Sequence, residues 1–228
     1  MKEDIGDILI DIFVGRDPED LQQLGLAYQR KHSLSMQGKS LASLVKEITK
    51  SEELQAALTI CIEGGRGLMP VDQAAIQNDL VEIKNLMKMA FPPPRAFFDI
   101  LLRRSDPHIA SIALYYSMES GLKLDEAIRR NMSIPSMTRK IVLHAVRSAT
   151  DLPYRDVMLL RDAMVANNLI GNVVKEKLGI RVCRMHWHRR HWQNVKAVYV
   201  GHKGEEFVDK WKNKKGIFRD LIMSMASI

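Results

Sequence analysis

The sequence predicts an all-α protein that repeats one helical unit along its length, and three observations lead to this fold class. First, an isoleucine lies four residues before an arginine at Ile12–Arg16, at Ile100–Arg104 and at Ile180–Arg184. These copies lie 88 and 80 residues apart, which indicates stacked copies of one supersecondary unit, each burying a face against its neighbour. Second, apolar residues recur with helical spacing throughout the chain. Third, no alternating strand pattern and no hairpin turn between such patterns is present.

A tyrosine belongs to the same repeat. It follows the arginine after 12 residues in the first two copies and after 15 in the third, as Tyr28, Tyr116 and Tyr199. We therefore expect these tyrosines to occupy equivalent, partly buried positions. We also expect the three arginines of the repeat to be equivalent to one another.

Helix start and stop signals divide the chain into about fourteen short helices. Asp17-Pro18 begins one helix with a capping aspartate and a proline in the first turn, and Asp106-Pro107 repeats that signal in the next unit. A long helix from Asp72 to Met89 is stopped by Phe91–Pro94, because proline cannot donate to the helix ladder. Further helices are predicted to begin at Ser51, after Ile134-Pro135 and at Asp151.

Length and composition predict a soluble, cytosolic chain with a real core. A chain of 228 residues, of which 46% are hydrophobic, can bury a core without metal or disulfide staples. No apolar run reaches the roughly 18 residues that a membrane span needs. The start, Met1–Asp7, is acidic and lacks the apolar region of a signal peptide. The two cysteines, Cys61 and Cys183, each lie in an apolar helical stretch and are predicted to be buried thiols.

The net charge of +7 is concentrated at the C-terminal end of the chain. Residues 175–228 hold 13 Lys or Arg and 5 Asp or Glu, whereas the rest holds 21 and 22. A local positive field attracts anionic surfaces, either phospholipid headgroups or nucleic acid. A solvated, solubilising face is the alternative interpretation of such a charge run.

The ordered set of motifs resembles the annexin repeat, a unit of five helices named A to E. Asp99–Ser105 looks like the end of helix B, Tyr116–Gly121 and Tyr199–Gly204 look like the end of helix C, and Gly216–Ile222 looks like the start of a final helix E. The resemblance covers nearly the whole chain and implies an annexin-like right-handed superhelical stack of five-helix repeats. It divides the chain into three units: a partial repeat lacking helix A at 1–65, a repeat at 66–149 and a basic repeat at 150–228.

The resemblance makes calcium a possible cofactor, but the residues depart from the family's calcium motif. That site needs a glycine-rich loop between helices A and B, whose carbonyls converge on the ion, and a carboxylate about 40 residues later. The loop of the second unit is Met89–Arg95, which has no glycine, and its downstream segment Ser133–Arg139 has no carboxylate. The third unit's loop, Val165–Asn172, lacks the motif too. We therefore predict that residues 89–95 and 165–172 do not bind calcium at micromolar concentrations.

Three acidic residues lie near the family's carboxylate position. Asp220 comes one or two residues late, while Glu52 and Glu53 stand where the first unit's acid should be. The favoured interpretation of both glutamates is charge that complements a helix N-terminus. If calcium binds at all, these two glutamates are the first place to look.

A histidine cluster invites a metal or nucleic-acid interpretation that its surroundings do not support. His186, His188 and His191 lie among arginines and tryptophans, but no cysteine or carboxylate nearby completes a zinc site. The favoured interpretation is the start of an amphipathic helix with Trp192 inward and the basic residues outward. No Gly-rich phosphate loop, HExxH or GxSxG motif is present, so no enzyme and no small-molecule substrate are predicted.

The leading hypothesis is a non-catalytic, annexin-like peripheral membrane or scaffold protein in the cytoplasm that binds anionic phospholipid. The resemblance places five basic residues on the face that would meet the membrane: Lys50, Arg95, Lys212, Lys214 and Lys215. The first alternative is a nucleic-acid-binding helical repeat protein that uses the basic C-terminal unit. The second is a purely structural or cytoskeletal interaction module. The sequence makes no prediction of the oligomeric state.

Overall fold

The computed structural model describes residues 2–32, 40–64, 66, 71–167, 171–186, 188–213 and 215–226. Within these ranges the chain is built from α-helices and one 3-10 helix, with no strand, and the predicted all-α class is confirmed. The helices in chain order are α1 (Lys2–Phe13), α2 (Pro18–His32), α3 (Leu41–Ile48), α4 (Glu52–Ile62), α5 (Gln73–Lys88), α6 (Pro94–Leu101), α7 (Asp106–Ser120), α8 (Leu124–Arg130), α9 (Ser136–Thr150), α10 (Leu152–Asn167), α11 (Gly171–His186), α12 (Arg189–Lys203), the 3-10 helix η1 (Phe207–Trp211) and α13 (Ile217–Ala226).

Helices begin at the predicted capping residues. The Asp17 carboxylate accepts a hydrogen bond from the backbone N–H of Glu19 at 3.0 Å, so α2 starts at Pro18. Asp72 caps α5 in the same way by accepting from two backbone N–H groups, and Ser51 caps α4. Local capping chemistry in the sequence therefore decides where these helices start.

The chain divides into two compact units, which we name the N-terminal unit (residues 2–150) and the C-terminal unit (residues 151–228). In the N-terminal unit, α4 contacts α1, α6 and α9 and buries Leu54, Ala57 and Leu58 completely or almost so. In the C-terminal unit, α10 packs on α11 and α12. The finer division into three repeats remains a prediction.

The core of the C-terminal unit is aromatic. The Phe207 ring meets the rings of Trp192 and Tyr199 edge-on, at centroid distances of 5.9 and 5.7 Å. Trp211 meets Phe218 in a similar edge contact at 5.8 Å. Edge-to-face geometry is the preferred arrangement of such rings. These contacts anchor η1 and α13 on α12, since the short 3-10 helix has little stability of its own.

The three repeat tyrosines occupy equivalent positions, each as the eleventh residue of its helix, in α2, α7 and α12. Tyr28 and Tyr116 are partly buried, as predicted, but Tyr199 is only 1% exposed. The prediction of partial burial is wrong for Tyr199, because the Phe207 ring covers it. Burial raises the pKa of the Tyr199 hydroxyl above its usual range.

The repeat arginines are less alike in their local structure. Arg16 and Arg104 follow the ends of α1 and α6, whereas Arg184 lies in the last turn of α11. The reason lies in the next residues of the sequence. An aspartate and a proline follow Arg16 and Arg104 closely, and no proline follows Arg184 before the end of its helix. Asp17 caps α2, whereas Asp106 is the first residue of α7 and Ser105 is at the N-cap position, contrary to the predicted cap.

The cysteines differ from one another. Cys61 is buried, and burial raises the pKa of its thiol to about 12. Cys183 is only partly buried, contrary to the prediction, and its sulfur lies 3.7 Å from that of Met225. Both are free thiols. Among the described helices, none combines the length and apolar character needed to cross a bilayer.

Candidate functional site

Two neighbouring loops of the N-terminal unit expose apolar side chains at their tips. The α5–α6 loop runs from Met89 to Pro93, and its Phe91 is 94% exposed while Pro92 is buried. The backbone is extended at both ends of this loop, with φ −71° and ψ 141° at Met89 and φ −68° and ψ 123° at Pro93. The proline run thus fixes an extended loop whose most exposed large apolar side chain, Phe91, points into solvent.

The second loop, α8–α9, runs from Asn131 to Pro135. Its Met132 is 78% exposed, while Ile134 is 1% exposed and joins the core. The Asn131 side chain accepts a hydrogen bond from the Ser133 N–H at 2.9 Å, which closes a local turn. The buried Ile134 and the turn at Asn131 therefore hold this loop in place, and Met132 is exposed at its tip.

A hydrogen bond joins the bases of these two loops. The Asn131 side-chain amide donates to the backbone carbonyl of Met87 in the last turn of α5, at 2.8 Å. On its other side, the Arg139 guanidinium donates to the Asn131 carbonyl at 3.0 Å. Because Met87 lies four residues before Phe91, the two loops start from one connected base. We call the α5–α6 and α8–α9 loops together the paired-loop surface.

Basic side chains flank the paired-loop surface. Lys88 is exposed, and the side chains of Arg95 and Arg130 are 71% and 62% exposed. Arg130 shares Glu126 with Arg129, and these two hydrogen bonds lower the pKa of Glu126 to about 2. These flanking side chains are therefore basic, and the charge of Glu126 is balanced by two arginines.

An open groove of about 520 Å³ lies beside the same base. It is lined by basic residues, including Lys84, Lys88 and Arg130, and by Tyr116, Leu122 and Ala127. Lys84 forms an ion pair with Glu119 across its edge. The groove extends the positive, partly apolar character of the paired-loop surface along α5.

The predicted membrane-facing residues that the structure describes lie in or beside three inter-helix loops. Lys50 is exposed between α3 and α4, Arg95 is exposed at the start of α6, and Lys215 is exposed before α13. Lys212 is 61% exposed at its side chain, and its ammonium lies 2.5 Å from the Asp209 carboxylate. Lys214 lies outside the described residues. Lys50 and Arg95 belong to the N-terminal unit, and Lys212 and Lys215 to the C-terminal unit.

The residues of the α5–α6 loop do not fit a calcium ion of the family's kind. A hard cation needs several oxygen ligands at 2.3–2.6 Å. This loop offers an extended backbone, and the downstream loop offers Asn131 and Ser133, which are engaged with each other. Within the described part of the chain, no group of three or more His, Cys, Asp or Glu is placed to hold a metal. In the other predicted loop, residues 168–170 lie outside the description.

The acidic candidates have structural partners instead. The Glu53 carboxylate accepts from the Thr138 hydroxyl at 2.9 Å, which ties α4 to α9. Asp220 accepts from Arg219 at 2.8 Å and is 66% exposed. Both glutamates lie in the first turn of α4, where their charge complements the helix dipole.

The histidine cluster is spread over different partners. The His186 ring lies 2.9 Å from the backbone carbonyl of Met225, while the His191 ring lies 2.7 Å from the Asp156 carboxylate. His188 is exposed at the start of α12, and Trp192 is buried. The described histidines therefore serve as helix contacts and do not converge on one ion.

Each unit also contains a buried aspartate that binds an arginine and a histidine, which the sequence interpretation missed. In the Asp79 cluster, the α5 carboxylate accepts from Arg104 at 2.7 Å and meets the His108 ring at 2.9 Å. This contact raises the pKa of Arg104 above its ordinary value. Because Arg104 follows α6 and His108 lies in α7, the cluster fixes the α5–α6 pair that carries Phe91.

The Asp156 cluster repeats this pattern in the C-terminal unit. Asp156 of α10 accepts from Arg184 of α11 at 2.9 Å and meets His191 of α12 at 2.7 Å, and Arg155 adds a third contact at 2.7 Å. Burial opposes the charge of Asp156, but the His191 hydrogen bond and the two arginine charges outweigh it and hold its pKa below the usual range. Arg104 and Arg184 therefore have equivalent roles, as the repeat predicts.

No protein-family model matches the chain, and no curated protein matches it. Solved structures do match. A mutant of annexin A8 aligns over 97% of this chain with a TM-score of 0.80 and 17% identity. Chicken annexin V aligns over 98% with a TM-score of 0.78 and 17% identity, and calcium-bound alpha-14 giardin over 97% with a TM-score of 0.77 and 14% identity.

The chain has the annexin fold. The resemblance deduced from the motifs is confirmed at this level. The chain covers 66% of the annexin A8 chain, 67% of chicken annexin V and 70% of alpha-14 giardin. It covers 64% of calcium-bound annexin (Sm)1, so it spans less than two thirds of two of these annexin-fold neighbours. At such low identity the likeness shows the fold alone.

Proposed function

We propose that this annexin-fold chain is a non-catalytic, peripheral protein of the cytoplasm that binds anionic phospholipid membranes through its inter-helix loops. The observation that carries the proposal is the paired-loop surface. It presents Lys88, Arg95 and Arg130 around two connected loops in a helical unit. Each basic side chain close to an anionic leaflet is attracted by its surface potential.

Calcium is not required in this proposal. Two of the matching structures, annexin (Sm)1 and alpha-14 giardin, are described as calcium-bound. In this chain the α5–α6 loop contains prolines and an exposed phenylalanine, and it lacks the glycines that a calcium site of the family's kind needs. Calorimetry should therefore detect no micromolar calcium site that depends on residues 89–95 or 165–172. A tight site that is lost when either loop is deleted contradicts this proposal.

The direct test is sedimentation of the full chain with vesicles. The chain should sediment with phosphatidylserine-containing vesicles in chelator at low salt, and should not sediment with pure phosphatidylcholine vesicles. Binding should weaken as salt shortens the Debye length to about 8 Å at physiological ionic strength. Absence of sedimentation in chelator, with binding restored by calcium, contradicts the calcium-independent part of the proposal.

Nucleic-acid binding is the second candidate, because residues 175–228 carry 13 basic and 5 acidic residues. Arg189 and Arg190 are both exposed at the start of α12. A mobility-shift assay in the same buffer as the vesicle assay separates the two functions. Retention of single- or double-stranded nucleic acid without vesicle binding favours the second candidate.

A further inference from the structure

The tips of the paired-loop surface are apolar, although basic residues alone would suffice for attraction to an anionic surface. Phe91 is 94% exposed and Met132 is 78% exposed, and each is the most exposed large apolar residue of its loop. Single exposed apolar residues are common on soluble proteins. Phe91 and Met132 differ from such scattered residues, because they lie on two neighbouring loops whose bases are joined by a hydrogen bond.

The loops hold these side chains outward by rigid means. Pro92, Pro93 and Pro94 follow Phe91, and Pro92 is buried beneath it. Met132 is held by the turn at Asn131, whose amide is bonded to the end of α5. The prolines and hydrogen bonds already order both loops. Little additional conformational entropy is therefore lost when the tips bind to another surface.

Basic residues flank both tips in the sequence. Residues 87–98 contain Lys88 and Arg95 and no acid, and residues 131–140 contain Arg139 and Lys140 and no acid. The nearest following acid, Asp99 of α6, lies 3.9 Å from Arg95 and 3.0 Å from Arg103, while Lys140 pairs with Asp7 at 3.0 Å. Arg95 remains 71% exposed at its side chain. Apolar tips within a basic rim match the interface of an anionic bilayer, where apolar groups enter below the headgroups and basic groups remain among them.

We propose that Phe91 and Met132 insert into the interfacial layer of an anionic membrane and anchor the N-terminal unit there by apolar contact in place of a metal bridge. This inference rests on the proposed membrane function and specifies how one of its surfaces works. The occupant is a lipid surface because the tips protrude singly. A protein partner needs a contiguous, complementary face, typically about 800 Å² on each side.

Insertion can be measured by an environment-sensitive fluorophore on single cysteines. The full chain with Cys183→Ala provides the background, because the remaining Cys61 is buried and its thiol has a pKa of about 12. Labels at Phe91→Cys and Met132→Cys should shift to the blue and brighten on phosphatidylserine vesicles in chelator. A label at Met118→Cys, a residue 71% exposed on α7, is the matched control and should not change.

Affinity gives a second measurement. Phe91→Ser with Met132→Ser should weaken vesicle binding by at least about tenfold, the factor that follows from losing the burial of one apolar side chain. The control pair Leu114→Ser and Met118→Ser removes two apolar residues that are 59% and 71% exposed on α7 and should change binding less than about twofold. Circular dichroism of both pairs checks that the fold is retained.

The outcomes separate the two proposals. If the parent chain does not sediment with any vesicle, both the membrane function and the insertion are wrong. If it sediments while the labels at residues 91 and 132 behave like the label at 118, the membrane function stands and the insertion is overturned. If the Phe91 and Met132 variants lose self-association while their vesicle binding is unchanged, the insertion is also overturned. The two tips then bind a second copy of the chain.

Discussion

The Asp79 cluster and the Asp156 cluster join the corresponding helices of the two units, but they differ in their access to water. The Asp79 side chain is 12% exposed and its partner Arg104 is 44% exposed. The corresponding values are 2% for Asp156 and 17% for Arg184. Arg155, which is 7% exposed, adds a second guanidinium to the buried aspartate. The same pattern of hydrogen bonds therefore lies in surroundings with a lower dielectric constant in the C-terminal unit.

This difference shows that a repeated ion pair does not have a repeated energetic role. At an exposed pair, water replaces a lost partner, and the net contribution is small. In a buried cluster, loss of one partner leaves the other charges without compensation, which costs far more than the pair contributed. We therefore expect the two units to respond differently to the same substitution.

The largest effect is expected for Asp156→Asn. It leaves the buried guanidinium of Arg155 and the partly buried one of Arg184 without a counter-charge, so the C-terminal unit should lose about 3–5 kcal/mol of unfolding free energy. All three tryptophans, including the buried Trp192 and Trp211, lie in this unit, so urea unfolding followed by tryptophan fluorescence reports on it alone. An unchanged midpoint means that the cluster is not the ionic centre of the unit.

A smaller effect is expected for Asp79→Asn. Water can reach the Arg104 guanidinium, and the Asn amide can still bond to His108, so the loss in the N-terminal unit should be about 1–2 kcal/mol. The change should appear in circular dichroism, while the tryptophan transition keeps its midpoint. A loss as large as that of Asp156→Asn contradicts the proposed difference between the clusters.

Acid should destabilise the C-terminal unit through Asp156. The folded state lowers the pKa of Asp156 below its ordinary value of 3.8, so this carboxylate stabilises the C-terminal unit fully above that pH. The stabilisation is lost as the pH falls below 3.8 towards the lowered pKa, because the unfolded chain then binds the proton more readily. Fluorescence-monitored urea unfolding should show a falling midpoint over this range, and the Asp156→Asn variant should lose that dependence. Equal slopes for parent and variant exclude Asp156 as the source.

Much of the fold could be predicted from the sequence because its signals are local. Caps at Asp17, Ser51 and Asp72 and the stop before Pro92 depend on neighbouring residues, and each helix boundary follows them. The burial of Tyr199 could not be predicted in this way. It depends on Phe207, a residue of the next element, which no local pattern connects to it.

The candidate site was only partly predictable for the same reason. Arg95 was expected at the surface and is exposed there, but the pairing of the two loops depends on Asn131 and Met87, which lie 44 residues apart. The signal that could have indicated Phe91 is a lone aromatic residue before three prolines. The backbone of such a residue is pushed out of the helical region, so it marks the tip of a loop. The two aspartate clusters had a signal too, because each histidine is the third residue of its helix, α7 or α12.

The smallest change in stability is expected in the loop before α13, which we compare with the paired-loop surface. The loop before α13 carries Lys212, Lys214 and Lys215, of which Lys212 is paired with Asp209, and it precedes the 90% exposed Ile217. Lys212 and Lys215 are exposed, so we expect that replacing all three lysines by glutamine leaves the tryptophan unfolding midpoint unchanged. Vesicle binding in chelator at low salt should weaken, and the remaining binding should depend less on salt than that of the parent, because the apolar tips of the N-terminal unit are untouched.

The serine pair at Phe91 and Met132 should show the opposite behaviour, with residual binding that depends more steeply on salt. If the glutamine variant sediments as well as the parent, these lysines are a solvated helix end, and the membrane surface is confined to the N-terminal unit.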